Sequence, residues 1–309
     1  MYVHRNGLHQ GEAVFFMRDY SFQSKFTEDE IEKTLNHYLS LQPGFDANLT
    51  FYREYQPKDK IVSKYVAYFY ELHTSASKNV SIPIIPDGCM DLVFVKTDDE
   101  YKSYIIGTAL KFSGLLAVKN RYVIGIRFHP GALRMFFDVD PFQILAQQIP
   151  LGAHMVKNRD INEQLYRAES SQERVTILEN LLISNIKRHE KYKIVQYCVQ
   201  RMVESKGLVN LNTLSDEVHY STRYLNHLFR DYVGLSPKYL DEIIKLQTTI
   251  FLIANSSDSL CDIAFHSGFC DQSHMNRLLK KFLGGPSSTL LNQGFFTADH
   301  HVLNNIYIF

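Results

Sequence analysis

Leu225-Asn226-His227-Leu228-Phe229-Arg230-Asp231-Tyr232-Val233-Gly234 and, fifty residues on, Met275-Asn276-Arg277-Leu278-Leu279-Lys280-Lys281-Phe282-Leu283-Gly284 carry one pattern. Leu225, Leu228, Phe229 and Tyr232 in the first, and Met275, Leu278, Leu279 and Phe282 in the second, have the spacing that lines one stripe of an α-helix, and a glycine closes each. Each stretch follows a shorter helical candidate, Leu211, Leu214 and Val218 in one case and Leu260, Ile263 and Ala264 in the other, across a tight bend. Both therefore read as helix-turn-helix with the longer helix second, a unit suited to placing a helix in a DNA groove. A helix from about Lys238 to Ala254 is predicted between them. The apolar stripes, with Phe265 and Phe269, read as core.

Upstream, Gln172 to Arg188 places Val175, Leu178, Leu181, Leu182 and Ile186 on one helical face, suited either to covering a sheet or to pairing with a copy of itself. Shorter helices are expected at Ala132–Phe137, Pro141–Gln147 and Ile161–Ala168. Before Pro130-Gly131 the pattern changes to short β-branched and aromatic runs: Ile61-Val62, Tyr65–Tyr70, Ser81–Ile85, Asp91–Val95, Tyr104–Ile106 and Tyr122–Phe128. Turns rich in Gly, Pro and Asp separate them, which predicts a compact antiparallel β domain. Residues 1–45 form an extension with a short helix expected over Glu28–Leu41 and a turn at Gln42-Pro43-Gly44. The fold class is α+β: an antiparallel β domain with covering helices over 46–190, an all-α double helix-turn-helix domain over 191–293, and a tail over 294–309.

A chain of 309 residues with 45% hydrophobic content can bury more than one core. No apolar run reaches the roughly 18 residues of a membrane span, and no basic stretch leads into an apolar one at the start, so a cytoplasmic protein without membrane contact is expected. Cys89, Cys198, Cys261 and Cys270 are scattered without a CxxC pair, which argues for reduced thiols and against a structural zinc site. The formal net charge is zero, and residues 190–293 hold 11 Lys plus Arg against 10 Asp plus Glu, so DNA affinity would have to come from a local patch.

The C-terminal hundred residues resemble the AraC/XylS type of bacterial transcription regulators. An ordered set carries the resemblance: Leu214-Ser215, Tyr220-Ser221, Leu225 to Phe229, Gly234-Leu235-Ser236-Pro237, Tyr239-Leu240, Lys245-Leu246-Gln247, Ile263-Ala264, Ser267-Gly268-Phe269, Gln272-Ser273 and Lys280-Lys281-Phe282 before Gly284. Thr249 stands where the family has Ala, Leu279 where Phe is usual and His227 where Arg is frequent. Pro86-Asp87-Gly88-Cys89-Met90-Asp91-Leu92-Val93-Phe94 and Gly125-Ile126-Arg127-Phe128-His129-Pro130-Gly131 are similar to a poorly characterised group of sensor-like domains fused to such regulators.

On the polar face of the first long helix, Arg223, Asn226 and His227 would face bases by their place in the family pattern, with Arg230 beside them. Arg can read guanine and Asn adenine through paired hydrogen bonds. Ser221 and Thr222 cap the helix and can hold a phosphate. On the second helix Gln272, Ser273, Asn276 and Arg277 occupy the corresponding face, and Lys280 and Lys281 are placed for phosphates. In the β domain the candidate effector residues are Asp87, Cys89, Asp91, Arg127 and His129: Arg127 and His129 alternate on a strand and can line a pocket for an anionic ligand, with a plain turn at Asp87-Gly88 and a satisfied Arg–His pair as the competing structural roles. Acidic neighbours work against a thiolate at Cys89.

The expected function is a sequence-specific transcription regulator controlled by an effector or by dimerisation, with no catalysis, no cofactor and no metal. A metal-dependent β-barrel enzyme needs clustered ligands, yet the β region holds only His73 and His129; an alkyltransferase needs an activated Cys, and Cys89 has no His nearby in sequence. Candidate partners are double-stranded DNA, a small-molecule effector, RNA polymerase and a second copy of the chain. The alternative is a regulator that acts by protein contact with weakened DNA binding, favoured by the near-neutral C-terminal charge.

Overall fold

The computed structural model describes residues 38, 40–42, 49–74, 80–117, 120–152, 160–187, 189–285 and 306–308, with the backbone alone for 80–83, 114–117 and 306–308. The helix expected over Glu28–Leu41 lies mostly outside the described residues; Tyr38, Ser40 and Leu41 are extended chain or loop.

Alternating and β-branched runs form the strands β1 (Leu49–Tyr55), β2 (Val66–Thr74), β3 (Val80–Ile84), β4 (Met90–Lys96), β5 (Tyr101–Ile106), β6 (Ser113–Ala117), β7 (Tyr122–Phe128), β8 (Gln148–Pro150) and β9 (Ile306–Ile308). Six of them make one sheet in the order β1-β2-β7-β4-β5-β8, antiparallel throughout. A second sheet pairs β3 antiparallel with β6, and β6 parallel with β9. The expected α+β class and antiparallel β domain are what the chain adopts. Three local readings differ. Ile61-Val62 leads into a 3-10 turn over Val62–Lys64, Ala132–Phe137 tightens to a 3-10 turn over Leu133–Met135, and Pro141–Gln147 is a series of turns. The two stretches expected to be helical are short, and a segment of six or seven residues does not nucleate an α-helix without tertiary support.

Period-two alternation divides each central strand between two faces. Ile124, Ile126 and Phe128 of β7, with Leu92 and Phe94 of β4 and Phe69 of β2, enter the main core. Val123, Val93, Val95, Tyr70 and Leu72 form a smaller cluster on the opposite face, edged by Tyr52, Tyr68 and Tyr104. Gly125 is required by a close approach: a Cβ there would lie 2.2 Å from Cζ of Tyr70, whose phenol crosses the strand at that point.

Eight α-helices stand among the described residues: α1 (Ile161–Arg167), α2 (Ser171–Asn185), α3 (Tyr192–Glu204), α4 (Leu211–Val218), α5 (Thr222–Tyr232), α6 (Pro237–Asn255), α7 (Leu260–His266) and α8 (Gln272–Leu283). Val175, Leu178, Leu181 and Leu182 of α2 are buried in the sheet's main core, so this helix covers the sheet with the face that could otherwise have met a second copy. Ile186 lies past the helix end and is exposed.

The helical region is built from capped segments. Ser221 Oγ accepts from Tyr224 N at 3.2 Å, Ser236 Oγ from Tyr239 N at 3.2 Å with Pro237 in the first turn, and Asp271 Oδ1 from His274 N at 2.6 Å. Each satisfies an orphan donor at a helix start. Both repeated apolar stripes are buried, except that Leu278 is partly covered. Phe269 is core, but Phe265 is 77% exposed because Ile263 and Ala264 already form the buried face of the seven-residue α7. Thr249 is fully buried and returns its hydroxyl to Lys245 O at 2.7 Å, which lets a polar side chain occupy an apolar site.

Candidate nucleic-acid interface

The caps and buried stripes fix which faces of α5 and α8 point outward. On α5, Ser221, Arg223, Asn226, His227 and Arg230 are exposed and Thr222 is half-buried. On α8, Ser273, Arg277, Lys280 and Lys281 are exposed, and Gln272 and Asn276 are half-buried. Candidate DNA-contacting residues thus share two outward faces, one on each side of α6. At 1.5 Å per residue the 19 residues of α6 span about 28 Å.

These residues do not have equal freedom. Asn226 Nδ2 donates to Thr222 O at 2.8 Å, so paired reading of adenine requires that bond to open. His227 Nε2 lies 3.3 Å from Asp231 Oδ2, one turn along the helix. Arg230 stacks its guanidinium 4.3 Å from the centre of the Phe142 ring, a residue of the β domain. Lys281 pairs with Glu242 of α6 and lies over the Tyr239 ring at 5.0 Å. Arg230 and Lys281 are therefore drawn toward other parts of the protein.

The near-zero domain charge is distributed unevenly. Lys193 pairs with Glu190, Arg201 with Glu204 and Glu217, and Lys281 with Glu242, while Lys245 is held by Gly268 O at 2.9 Å and the Phe269 ring. Among the described residues no carboxylate pairs with Arg223, Arg277 or Lys280. Glu190, Glu204, Glu217 and Glu242 are thus matched by cations, whereas Arg223, Arg277 and Lys280 leave their charge on the outer faces of α5 and α8, beside Asp231 and Asp271.

The candidate residues of the β domain form a second polar assembly whose pairing is set by strand register. Cross-strand register places Arg127 of β7 opposite Asp91 of β4. Arg127 Nη1 donates to Asp91 Oδ1 and Oδ2 at 3.2 and 3.1 Å, and Nη2 pairs with Asp87. Gln42 Nε2 donates to Asp87 Oδ2 at 3.1 Å, and Tyr38 donates to Asp87 O. Asp87 also accepts from Cys89 N at 3.0 Å, and Gly88 takes φ +74°, so the turn role and the polar-cluster role coexist. Four of the five candidate effector residues, Asp87, Cys89, Asp91 and Arg127, meet around this loop. Arg127 is already matched by two carboxylates, so it is not a vacant anion receptor. Burial, reinforced by Asp87, pushes the Cys89 thiol well up, away from thiolate chemistry.

His129 lies just past β7, edge-on to Tyr38 at 6.1 Å, and burial lowers its pKa to about 4. Asp91 shifts the other way: burial raises it to about 6. Linkage gives opposite signs. The unfolded chain protonates His129 near 6.5 and the native chain only near 4, so this group removes stability as pH falls through that window. Asp91 keeps its proton to about 6 when folded and releases it near 3.8 when unfolded, so it removes stability as pH rises through its own window. His129→Gln is expected to gain stability on acidification from pH 6.5 to 4 relative to the parent, as read by urea unfolding; parallel curves would contradict the assignment.

Tyr38, Gln42, Tyr70 and Gln247 complete this region but are not among the sequence candidates. Gln247 has a signal: it follows Ile243 and Ile244 on the apolar phase of α6 and precedes Ile250, a polar side chain where the helix predicts burial.

Residues 214–293 match the family described as "Helix-turn-helix domain", and residues 53–150 match a "Domain of unknown function (DUF6597)". Two curated relatives, both named HTH-type transcriptional activator RhaS, from Escherichia coli O157:H7 and its strain EC4115 / EHEC, are 30% identical over 73 residues, which is 24% of this chain. The match spans 26% of the length of those relatives. Among solved structures, ToxT from Vibrio cholerae in a P21 form is similar at a TM-score of 0.38 and 12% identity, covering 72% of this chain and 97% of that one. ToxT from Vibrio cholerae O395 bound to (E)-4-(8-methylnaphthalen-1-yl)but-3-enoic acid gives a TM-score of 0.38 and 10% identity, over 74% and 98% of the two chains. No helix among the described residues is long and apolar enough to cross a membrane.

Proposed function

We propose that this chain, an AraC/XylS-type helix-turn-helix protein, is a sequence-specific DNA-binding transcription regulator in which both units engage DNA and the β domain controls them. The observation that carries the reading is the pair of capped helices whose outward faces hold Arg223 and, on the other side of α6, Arg277 and Lys280, all without acidic partners among the described residues. Arg223, Asn226 and His227 read bases from α5, with Ser221 and Thr222 at a phosphate. Gln272, Ser273, Asn276 and Arg277 read bases from α8, with Lys280 at a phosphate. Arg230 and Lys281 serve chiefly to orient the two helices through Phe142 and Glu242. The two faces address major-groove segments about one turn, roughly 34 Å, apart.

A small-molecule effector engaging the Asp87, Cys89, Asp91, Arg127 and His129 region, or association with a second copy, supplies control, and RNA polymerase is the downstream partner. A ligand that meets Arg127 has to compete with its two carboxylates, which favours a cationic or neutral hydrogen-bonding group over a simple anion. No catalytic step is assigned.

The test is capture of fragmented genomic DNA by the purified protein at two salt concentrations, read by sequencing. A shared motif with two half-sites about one turn apart is expected. Arg277→Ala is expected to weaken binding to it by about 1–3 kcal/mol and relax specificity at one base pair. Lys280→Ala is expected to weaken all sequences alike and lower the salt slope by about 1. Capture of no motif, or an unchanged Arg277→Ala titration, argues against the reading.

A further inference from the structure

The β domain touches the helical domain at three places that bear on both recognition helices. At the C-terminal end of α5, Arg134 Nη1 donates to Asp231 O at 2.8 Å, and Gly234 lies so close to Pro141 that a Cβ would meet its carbonyl oxygen at 2.7 Å. At the C-terminal end of α8, Phe112 N donates to Phe282 O at 2.7 Å, and nearby Tyr239 OH donates to Leu110 O at 2.8 Å. Further along α6, Gln247 meets backbone of Leu41, in the N-terminal extension, and of Pro86, in the loop before β4. Its Oε1 accepts from Leu41 N at 2.8 Å, and its Nε2 donates to Pro86 O at 2.8 Å and Leu41 O at 3.4 Å. Gln247 is 1% exposed and its amide hydrogens and carbonyl are all engaged.

We infer that the β domain is the template that sets the relative placement of the two recognition helices, and that Gln247 is the positioning residue that locks α6 to it, so that tolerated half-site spacing is decided at this joint. The inference rests on the DNA-binding reading above. A 19-residue helix alone fixes a distance but leaves the units free to rock about its ends. Contacts at the C-terminal ends of α5 and α8, made by the turns and loops that hold Arg134, Pro141, Leu110 and Phe112, restrict that freedom. Gln42 extends the joint: its amide exchanges hydrogen bonds with Ile85 N and O at 2.7 and 2.8 Å and also reaches Asp87, which holds Arg127. Any change at Arg127 therefore arrives at Leu41 and Gln247 through two side chains.

The experiment is a spacing series: the captured operator synthesised with its half-sites moved by −1, 0, +1 and +2 base pairs, titrated with full-length parent, Gln247→Met and Gln247→Glu. The parent is expected to bind one spacing. Gln247→Met, similar in volume but without the three hydrogen bonds, is expected to lose at least tenfold on that spacing and less than threefold on the others, flattening the preference. Gln247→Glu is expected to behave like the Met variant at pH 8 and to recover spacing preference toward pH 5.5, where a protonated carboxyl again offers a donor to Pro86 O. A preference kept by both variants at every pH overturns the inference, as does an equal loss on all spacings. Parent protein that selects no sequence overturns the regulator reading instead. If Gln247→Met fails to fold, the pH series on Gln247→Glu alone decides: a preference that does not return on acidification overturns the inference.

Discussion

Arg127→Leu is expected to destabilise the β domain by about 3–5 kcal/mol at pH 8, the usual cost of removing one member of a buried ionic group. The side chain of Arg127 is 10% exposed and those of Asp87 and Asp91 are 4% and 13% exposed, so neither carboxylate can turn to water for solvation. With the guanidinium gone, two like charges face one another across the loop 86–91. Asp91, already raised to about 6 by burial with Arg127 present, moves further up. The sign of the pH dependence follows: a carboxyl whose folded pKa is raised takes stability away as pH increases from its unfolded value near 3.8. Damage in the variant is therefore largest at pH 8 and shrinks toward pH 5. Adding Asp87→Asn and Asp91→Asn to Arg127→Leu is expected to restore most of the loss, because the penalty lies in uncompensated charge rather than in shape. Urea unfolding monitored by tyrosine fluorescence, at both pH values, provides the check. A loss below about 1 kcal/mol that does not vary with pH would show that the group is solvated after all.

Gly207→Ala is expected to cost about 3 kcal/mol in the helical domain, and to weaken operator binding with it. Gly207 follows α3 at φ +74°, where its N–H returns to Met202 O at 2.9 Å. A methyl group there would sit 2.4 Å from Lys245 N and 2.5 Å from Asp241 O. Both are backbone atoms of α6, so no rotamer change relieves the contact, and α3 has to move away from the helix that joins the two recognition units. Gly284 is the matched control. It has φ +79° at the end of α8, but a methyl group added there would meet nothing within 4 Å. Gly284→Ala should therefore carry only the left-handed backbone cost, about 1–2 kcal/mol. Equal melting temperatures for the two variants would refute the close-approach account of Gly207.

Local signals serve well where one segment suffices to define an element. The helix-turn-helix pairs are legible because caps such as Ser221 and Asp271, and stripes such as Leu225 to Tyr232, act within a few residues of one another. Strands made of short β-branched and aromatic runs, such as β7, are legible for the same reason. Pro141–Gln147 has a helical pattern yet forms turns, because its residues serve contacts with Gly107 and Gly234, far along the chain, rather than a face of their own. Phe265, expected as core for its apolar side chain, is exposed because its position falls opposite the Leu260, Ile263 and Ala264 stripe of its short helix.

For the candidate sites the division is similar. Polar positions on the recognition helices are legible as types and spacings, and the structure presents them outward. That Arg230 lies on Phe142 and Lys281 on Glu242 depends on segments about 90 and 40 residues away in sequence, which no local pattern encodes. The Pro86–Phe94 and Gly125–Gly131 motifs are legible as notable sequences. Their shared function in holding Arg127 between two carboxylates requires β4 and β7 to be neighbours in register.

By itself, the sequence determined the α+β class, the doubled helix-turn-helix and the polar residues on the outer faces of its longer helices, because helix caps, amphipathic stripes and strand patterns are short-range physics. Only the tertiary structure decided that the loop at Pro86–Cys89 lies against the helix between the recognition units, with Gly88 pressed to Leu240 and Gln247 bonded to Leu41 and Pro86. Such contacts join residues as much as 206 positions apart, and their energy depends on complementary surfaces that exist only after both domains have folded.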